Sequence, residues 1–299
     1  MKYRYLVCDV FTDTRFNGNQ LAVLPDAAGL SETQMQQIAR EFNFSETAFV
    51  FPAEQGQTRK VRIFTPTTEV PFAGHPNIGT AFVLTETGGL GSGIVPESVC
   101  FEEKAGLVPI NISQKPSGQR QFELKAPESL TARPFKGVSI IGEALSLSMD
   151  QIIEQNHPPS AASVGLPFLI VELLNTSALA DIQINPESFN NLLAEGSPPY
   201  ILVYTQNTSN ADLQARMFAP LDGITEDPAT GSANCALAAL LAQYSDLTSG
   251  DFCWEVLQGL EMGRPSRLKI RAQKENGSVI GSWVAGTCVM VAEGLIETD

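Results

Sequence analysis

Two segments of the 299-residue chain are apolar on every helical face, and no other feature restricts the fold as strongly. The first covers residues 78–85 and ends before Gly88 and Gly89, a pair typical of a helix stop. The second covers residues 233–242 and is apolar almost all round. A helix without a polar face has to be surrounded by other structure. The sequence therefore predicts two buried central helices, one in each half of the chain.

The segments that lead into these two helices are also alike. In each, a strand pattern ends in Phe-x-Pro, at 64–66 and 218–220, and the helix begins with Gly-[His/Ser]-x-Asn, at 74–77 and 231–234. The spacing between the two patterns differs by three residues between the copies. Similar signals in two parts of a chain are typical of internal duplication. We therefore expect two copies of one α+β unit.

Local patterns predict the elements around these helices. Alternating apolar residues predict a hairpin, and Ser31 with Gln34 forms a capping box at the start of a helix. The expected strands are 4–10, 20–24, 47–51, 61–64 and 164–171, with a β-rich region at 112–124, and the expected surface helices are 32–42, 151–155 and 186–194. The boundary between the two halves is expected near 127–133.

Charge and composition argue against several kinds of partner. The chain carries 33 acidic and 19 basic residues and has no run of more than two neighbouring Lys or Arg residues, so it should repel a phosphate backbone. The N-terminus has no secretory signal pattern, and no apolar run reaches 18 residues. We therefore expect a cytoplasmic globular protein that binds neither nucleic acid nor membranes.

The five cysteines, Cys8, Cys100, Cys235, Cys253 and Cys288, are odd in number and widely separated, and no histidines accompany them at metal-ligand spacing. Disulfides and a structural zinc site are therefore disfavoured, and we expect no metal. The cysteines are expected to be small buried apolar residues in a reducing compartment.

The starts of the two central helices are candidate binding positions. Helix N-termini carry unpaired N–H groups and a positive dipole end, and both attract anions. Gly74 and Gly231 would let a ligand approach the main chain closely, with His75 and Ser232 beside them. If the units pack around a pseudo-two-fold axis, the two starts would face one cleft and cradle a small carboxylic acid. The alternative is that each glycine only serves a tight strand-to-helix turn.

The two histidines have different surroundings in the sequence. His75 lies at a helix start, where the dipole should lower its pKa and favour the neutral ring. His157 precedes two prolines and is expected in a solvated loop without a functional role.

Two carboxylates are candidates for acid–base chemistry. Glu46 lies among aromatic and aliphatic neighbours, where burial would raise its pKa toward a range useful for general acid–base catalysis. The alternative is a strand-edge glutamate that faces water. Asp227 lies five residues before Ser232 and could reach the same cleft, although the Asp-Pro turn in which it lies favours a more solvated position.

Together, these residues resemble the phenazine-biosynthesis (PhzF-like) isomerase family, which is related in fold to diaminopimelate epimerase. The similarity extends over essentially the whole chain in ordered blocks. These are Asp-Val-Phe-Thr at 9–12, Phe-Asn-Gly-Asn at 16–19, Ser-Glu-Thr-Ala-Phe at 45–49, Arg-Ile-Phe-Thr-Pro at 62–66, Glu-Val-Pro-Phe-Ala-Gly-His-Pro at 69–76, Arg-Met-Phe-Ala-Pro at 216–220, Glu-Asp-Pro-Ala-Thr-Gly-Ser-Ala-Asn at 226–234, and Gln-Gly with Gly-Arg-Pro-Ser at 258–266.

The resemblance implies an α+β fold of two similar domains, each a mixed β-barrel around a central helix. We expect domain limits of 1–128, completed by a last strand within 280–299, and 129–279. The resemblance also implies that Glu46 is the general acid/base, that His75 and Asp227 bind substrate and assist proton transfer, and that Gly74 and Ser232 hold the substrate. It implies a small anionic metabolite as substrate, no cofactor, and a homodimer.

One departure from the epimerase relatives affects the mechanism. Those enzymes place a cysteine at each helix start, whereas this chain has His75 and Ser232 there, with Cys235 three residues further on. Racemisation by two thiols is therefore disfavoured. The leading hypothesis is a cofactor-independent isomerase in which one carboxylate moves a proton. The alternatives are a single-base epimerase or dehydratase of amino or hydroxy acids, and a non-catalytic small-anion binding protein.

Overall fold

The computed structural model describes residues 1–91, 95–222 and 224–299, without the side chains of residues 222 and 224. Contacts between residues divide the chain into two units, Met1–Lys125 with Ala285–Asp299, and Ala126–Val284. The chain therefore leaves the first unit once and returns to it for its last strand.

The chain forms a few helices between many strands. Up to Lys125 the described elements are β1 (Lys2–Val10), β2 (Asn19–Leu24), α1 (Glu32–Phe42), β3 (Glu46–Phe51), β4 (Arg59–Phe64), β5 (Glu69–Val70), α2 (Gly74–Glu86), β6 (Ser98–Glu103), β7 (Gly106–Gln114) and β8 (Arg120–Lys125). They continue with β9 (Thr131–Pro134), α3 (Val138–Leu145), a 3₁₀ turn (Met149–Gln151), β10 (Ile152–Ile153), β11 (Ser160–Ser163), β12 (Pro167–Leu173), α4 (Thr176–Ala180), α5 (Pro186–Ala194), β13 (Ile201–Thr205) and β14 (Leu213–Ala219). The last are a 3₁₀ turn (Pro220–Asp222), β15 (Ile224–Asp227), α6 (Gly231–Tyr244), β16 (Gly250–Gln258), β17 (Ser266–Glu275), β18 (Ser278–Gly286) and β19 (Cys288–Glu297).

In the first unit a mixed sheet surrounds α2. Strand β1 pairs antiparallel with β2 and β19, β2 runs parallel to β3, and β4 runs parallel to β6. Helix α2 contacts β1, β2, β3, β7, β8 and β19, and each of its residues from Gly74 to Thr85 is buried. The prediction of a buried central helix is therefore confirmed for this unit.

In the second unit α6 is likewise surrounded by strands. It contacts β11, β12, β16 and β17, and its residues from Gly231 to Ala242 are buried except for Ser232, which is partly buried. Helices α3 and α5 pack against β12 and β13 through a separate apolar cluster that includes Ile141, Phe189 and Val171. The expected α+β architecture is confirmed.

The two units share one strand order with the same directions. Strands β2, β3, β4 and β6 are joined by parallel, antiparallel and parallel pairings, and so are β12, β13, β14 and β16. Arg62 on β4 and Arg216 on β14 each form a two-point ion pair, with Glu69 and Glu226 respectively. Each guanidinium also lies over the phenylalanine ring two residues further along its strand, at 5.2 and 4.9 Å. The predicted internal duplication is confirmed by these matched positions.

Most of the local predictions were right, and a few were wrong. Helix α1 has the capping box of Ser31 and Gln34, and α5 lies at the predicted residues. The helix expected at 151–155 is wrong, because Ile152 and Ile153 pair with β12 and leave only a 3₁₀ turn before them. The strand expected from residue 164 begins at Pro167, and helices α3 and α4 were not predicted from the sequence.

Candidate active site

Glu46 and His75 lie next to each other in the first unit. Glu46 is the first residue of β3, where it pairs with Leu21 of the parallel strand β2, and His75 is in the first turn of α2, which packs on both strands. Nε2 of His75 is 3.6 Å from Oε2 of Glu46. The histidine side chain is 6% exposed and the glutamate side chain 19%, so the carboxylate is the more accessible group.

The His75 ring is held in its neutral form. Burial lowers the pKa of His75 to about 3, and a backbone hydrogen bond with Gln20 only partly opposes this effect. The helix dipole predicts the same direction for the pKa, but the main cause is burial. Nδ1, the other ring nitrogen, lies 3.4 Å from Nδ2 of Asn19. A neutral imidazole can therefore donate a proton through one nitrogen and accept one at the other.

Asp227 is buried at the end of β15 in the second unit, with 7% of its surface exposed. The Thr230 hydroxyl donates to its carboxylate, and the Gln258 side-chain amide donates to its backbone carbonyl at 2.8 Å. The solvated position expected for this residue is therefore wrong. The cause is the turn after β15, which these two hydrogen bonds hold against the end of β16.

Both central helices begin without a side-chain cap. The residues before the first turns are Ala73 for α2 and Thr230 for α6, and neither side chain caps its helix. N-cap side chains normally satisfy one of the free N–H groups of the first turn. The described residues therefore leave these helix starts, including Gly74 and Gly231, without the usual cap. An uncapped helix start can receive an anion, and anion binding at these two starts stays a prediction.

Strand register relates the positions of the two units to each other. Arg62 on β4 lies opposite Phe49 on β3, and Arg216 on β14 lies opposite Val203 on β13. Because the two arginines are equivalent, Phe49 and Val203 are equivalent as well. The residues three positions before them, Glu46 and Tyr200, are therefore equivalent too.

Two pairs of equivalent residues lie near the helix starts. They are Glu46 with Tyr200, and His75 with Ser232. The carboxylate and imidazole of the first unit thus correspond to a phenol and a hydroxyl in the second. Only the first unit carries a carboxylate–histidine pair at these positions. The equivalent positions of the two units therefore differ in their chemistry.

His157 is 1% exposed, so the solvated loop position expected from the sequence is wrong. Its Nε2 lies 2.9 Å from the Tyr204 hydroxyl and its Nδ1 lies 2.8 Å from the carbonyl oxygen of Pro158. The ring also stacks on Tyr204 and lies near Tyr244. Burial lowers the pKa of His157. These contacts make it a structural histidine of the second unit.

The cysteines agree only in part with expectation. Cys8, Cys235 and Cys288 are buried, but Cys100 is partly exposed and Cys253 is exposed on β16. Burial raises the pKa of the Cys8 and Cys288 thiols well above the ordinary range. Among the described residues, no three or more His, Cys, Asp or Glu side chains form a cluster that could hold a metal ion. No helix in the described part of the chain has the length and apolar character needed to cross a membrane.

Comparison with known proteins identifies the family. A family model described as "Phenazine biosynthesis-like protein" matches residues 8–294. The chain is 38% identical to an uncharacterized isomerase of Mesorhizobium japonicum, with 97% of each chain covered. It is 32% identical to the trans-2,3-dihydro-3-hydroxyanthranilate isomerase of Pseudomonas aeruginosa, with 98% of each chain covered. The chain therefore belongs to the phenazine biosynthesis-like (PhzF) family, and it is an isomerase.

Solved structures agree with this assignment. A PhzF-family phenazine biosynthesis protein of Bacillus anthracis has a TM-score of 0.91 at 26% identity, and all of both chains is covered. A hydroxyproline epimerase of Agrobacterium vitis has a TM-score of 0.61 at 15% identity, covering 99% of this chain and 92% of the epimerase. The second similarity shows the fold alone, and it extends the shared fold to epimerases.

Proposed function

We propose that this isomerase works without a cofactor and moves a proton with Glu46 on a small substrate that carries a carboxylate. The observation that carries the proposal is the Glu46–His75 pair, which has no carboxylate counterpart at the matched positions Tyr200 and Ser232. A two-base mechanism needs an acid–base group on each side of the substrate. Because the equivalent positions carry different groups, we favour a mechanism in which one group both removes and returns the proton.

The chemistry follows from the geometry of this pair. In its ionised form Glu46 takes a proton from a carbon next to an unsaturated system, and the resulting acid delivers the proton to another carbon of that system. The neutral His75 ring faces the carboxylate and can hydrogen-bond either the glutamate or a polar group of the substrate. The neutral ring keeps Glu46 oriented, and it adds no positive charge that would stabilise the ionised carboxylate.

The substrate class follows from the uncapped helix starts. A carboxylate on the substrate would accept hydrogen bonds from N–H groups at Gly74 and, as expected from the sequence, at Gly231 and Ser232, with Asp227 assisting proton transfer. The facing of the two starts across one cleft remains a prediction, as do the homodimer and the cytoplasmic location. The first compound to test is trans-2,3-dihydro-3-hydroxyanthranilate, because a relative is named for its isomerisation and it carries both a carboxylate and an unsaturated ring.

The test is proton exchange in deuterated water, followed by NMR. Wild-type protein should place deuterium in the product, and Glu46→Gln should still bind the substrate while exchange falls by about 10²–10⁴-fold, the range for a positioned acid–base group. Glu54→Gln is a matched control, because Glu54 is an exposed glutamate of the same unit that pairs with Lys60. Its exchange rate should equal that of the wild type.

Three results would contradict the proposal. Near-normal exchange in Glu46→Gln, with loss of exchange in His75→Asn or Asp227→Asn, would transfer the role to one of those residues. Inversion at one carbon without movement of a double bond would identify an epimerase, and loss of water from the substrate would identify a dehydratase. The position of the double bonds in the product separates these outcomes.

A further inference from the structure

Glu103, the last residue of β6, has a buried carboxyl group that the proposed proton transfer does not use. Both carboxyl oxygens are buried, and neither has a hydrogen-bond partner of good geometry among the described residues. A buried carboxylate without a partner is strongly unfavourable. This position therefore needs a physical explanation.

The duplication identifies the equivalent residue in the second unit. Phe101 on β6 pairs with Arg59, three residues before Arg62 on β4. Val256 on β16 pairs with Leu213, three residues before the equivalent Arg216 on β14. Glu103 and Gln258 each follow two residues later, as the last residues of their strands. Glu103 therefore occupies the position of Gln258.

Gln258 braces the start of α6. Its Oε1 accepts from Nδ2 of Asn234 at 2.8 Å and from the backbone N–H of Thr230 at 3.3 Å. Its Nε2 donates to the Asp227 carbonyl at 2.8 Å and to the Thr230 hydroxyl at 3.2 Å. The position thus requires a side chain that both donates and accepts. An amide and a protonated carboxylic acid can do this, whereas a carboxylate can only accept.

One part of this arrangement is found again at α2, where the Asn77 amide interacts with the Glu103 carboxyl group. Asn77 is equivalent to Asn234, and the side-chain amide of each donates at 2.9 Å to the carbonyl of its N-cap residue. Burial raises the pKa of Glu103 to about 8, and the Asn77 amide only partly opposes this effect. At neutral pH Glu103 is therefore mainly a neutral acid in the place of an amide.

The charged groups on the neighbouring elements are engaged elsewhere. On β4, Arg59 donates to the carbonyls of Thr58 and Gly89, Lys60 pairs with an exposed glutamate, and Arg62 pairs with Glu69. On the loop after β6, Lys104 also pairs with Glu69. On α2 the titratable groups are His75, whose ring is neutral, and Glu86 in the last turn, which pairs with Arg120. None of these charged groups lowers the pKa of Glu103.

We propose that Glu103 is a positioning residue for the start of α2, where its neutral form braces the first turn and its ionisation weakens the binding of an anionic substrate. A negative charge beside the first turn competes with the ligand for the positive end of the helix. The inference rests on the proposed function, because it takes the α2 start as the place where the substrate carboxylate binds. Glu103 itself touches no reacting atom in this proposal.

The test measures binding of anthranilate, which carries a carboxylate but has an aromatic ring with no proton to shift. Its Kd is measured by calorimetry between about pH 6 and 10 for the wild type, Glu103→Gln and Glu102→Gln. We expect the wild-type Kd to rise about three- to tenfold from pH 7 to 9, consistent with a charge near a helix end. Glu103→Gln should stay within about twofold over this range. Glu102→Gln is the matched control and should keep the wild-type profile, since this neighbouring carboxylate accepts three backbone N–H groups and its pKa is lowered.

A second measurement does not depend on ligand or on folding of the variant. Difference infrared spectra of the wild type between about pH 7 and 9.5 should show loss of a protonated carboxyl band. A wild-type Kd independent of pH, a rise that persists in Glu103→Gln, or absence of the infrared change would overturn the inference. If proton exchange fails while anthranilate binding follows the expected profile, the proposed reaction is wrong and this inference stands. Absence of anthranilate binding at pH 7 would overturn both this inference and the proposed substrate class.

Discussion

Two buried groups of the first unit should make its stability depend on pH in opposite directions. Burial lowers the pKa of His75 from its ordinary 6.5 to about 3 and raises the pKa of Glu103 from its ordinary 4.5 to about 8. Where the folded and unfolded states differ by one bound proton, the free energy of unfolding changes by about 1.4 kcal/mol per pH unit. Each group therefore has a defined pH range in which it acts.

The signs follow from which state holds the proton. Below pH 6.5 the unfolded chain protonates His75 and the folded protein does not, so stability falls as pH drops from 6.5 toward 3. Above pH 4.5 the unfolded chain ionises Glu103 and the folded protein keeps it neutral, so stability falls as pH rises from 4.5 to 8. The two slopes cancel between pH 4.5 and 6.5. From pH 6.5 to 8 only the Glu103 effect remains, which amounts to a loss of about 2 kcal/mol.

Substitution separates the two effects. In Glu103→Gln, the free energy of unfolding should no longer fall above pH 6.5, and below pH 6.5 it should increase as pH rises, because of His75. In His75→Asn, the free energy of unfolding should fall over the whole range from pH 4.5 to 8. The assay is urea unfolding followed by tryptophan fluorescence at several pH values, with the free energy of unfolding compared between each variant and the wild type. Glu102→Gln is again the control, because its low pKa confines its effect to acidic pH.

A flat difference between the wild type and Glu103→Gln from pH 6.5 to 8 would refute this reasoning. It would mean that Glu103 is ionised in the folded protein, and that relaxation or water around the carboxyl group satisfies its charge. A flat difference for His75→Asn below pH 6.5 would have the corresponding meaning for the imidazole.

Two further predictions concern the central helices. A Cβ at Gly79 in α2 would lie 2.5 Å from Cδ2 of Leu21 and 2.8 Å from Cγ2 of Val10, both fully buried. Gly79→Ala should therefore destabilise the protein by about 1–3 kcal/mol through overpacking, despite its better helix propensity, and an increase in the urea midpoint would contradict this. In α6, Cys235→Ala should leave turnover nearly intact, because the proposed mechanism uses no thiol. Loss of turnover in a Cys235→Ala protein that unfolds normally would show that the single-carboxylate mechanism is wrong.

The sequence was most informative where the signal is local and repeated. The apolar helices at 78–85 and 233–242, the capping box at Ser31 and the Gly-[His/Ser]-x-Asn starts each depend on residues within one or two turns. Such patterns determine which segments must be helical and buried before any tertiary contact is known. The ordered blocks along the chain likewise identified the family, because they preserve residue types at their spacing.

Burial of single polar residues could not be predicted in this way. His157 and Asp227 both precede proline and look like solvated turn residues, yet both are buried. Their partners Tyr204 and Gln258 lie far from them in the sequence, at 47 and 31 residues. The same holds for Glu103, whose local sequence contains two adjacent glutamates with opposite environments. One accepts three backbone N–H groups, and the other has a buried carboxyl without such donors.

Residue types and local spacing alone determined that this chain has two buried helices with glycine starts and a glutamate beside an apolar strand. Only the tertiary structure decided that Glu46 meets His75 at 3.6 Å and that Gln258 and Glu103 occupy equivalent positions. The physical reason is that strand register, which joins residues far apart in the chain, sets both the distance between side chains and their exposure to water.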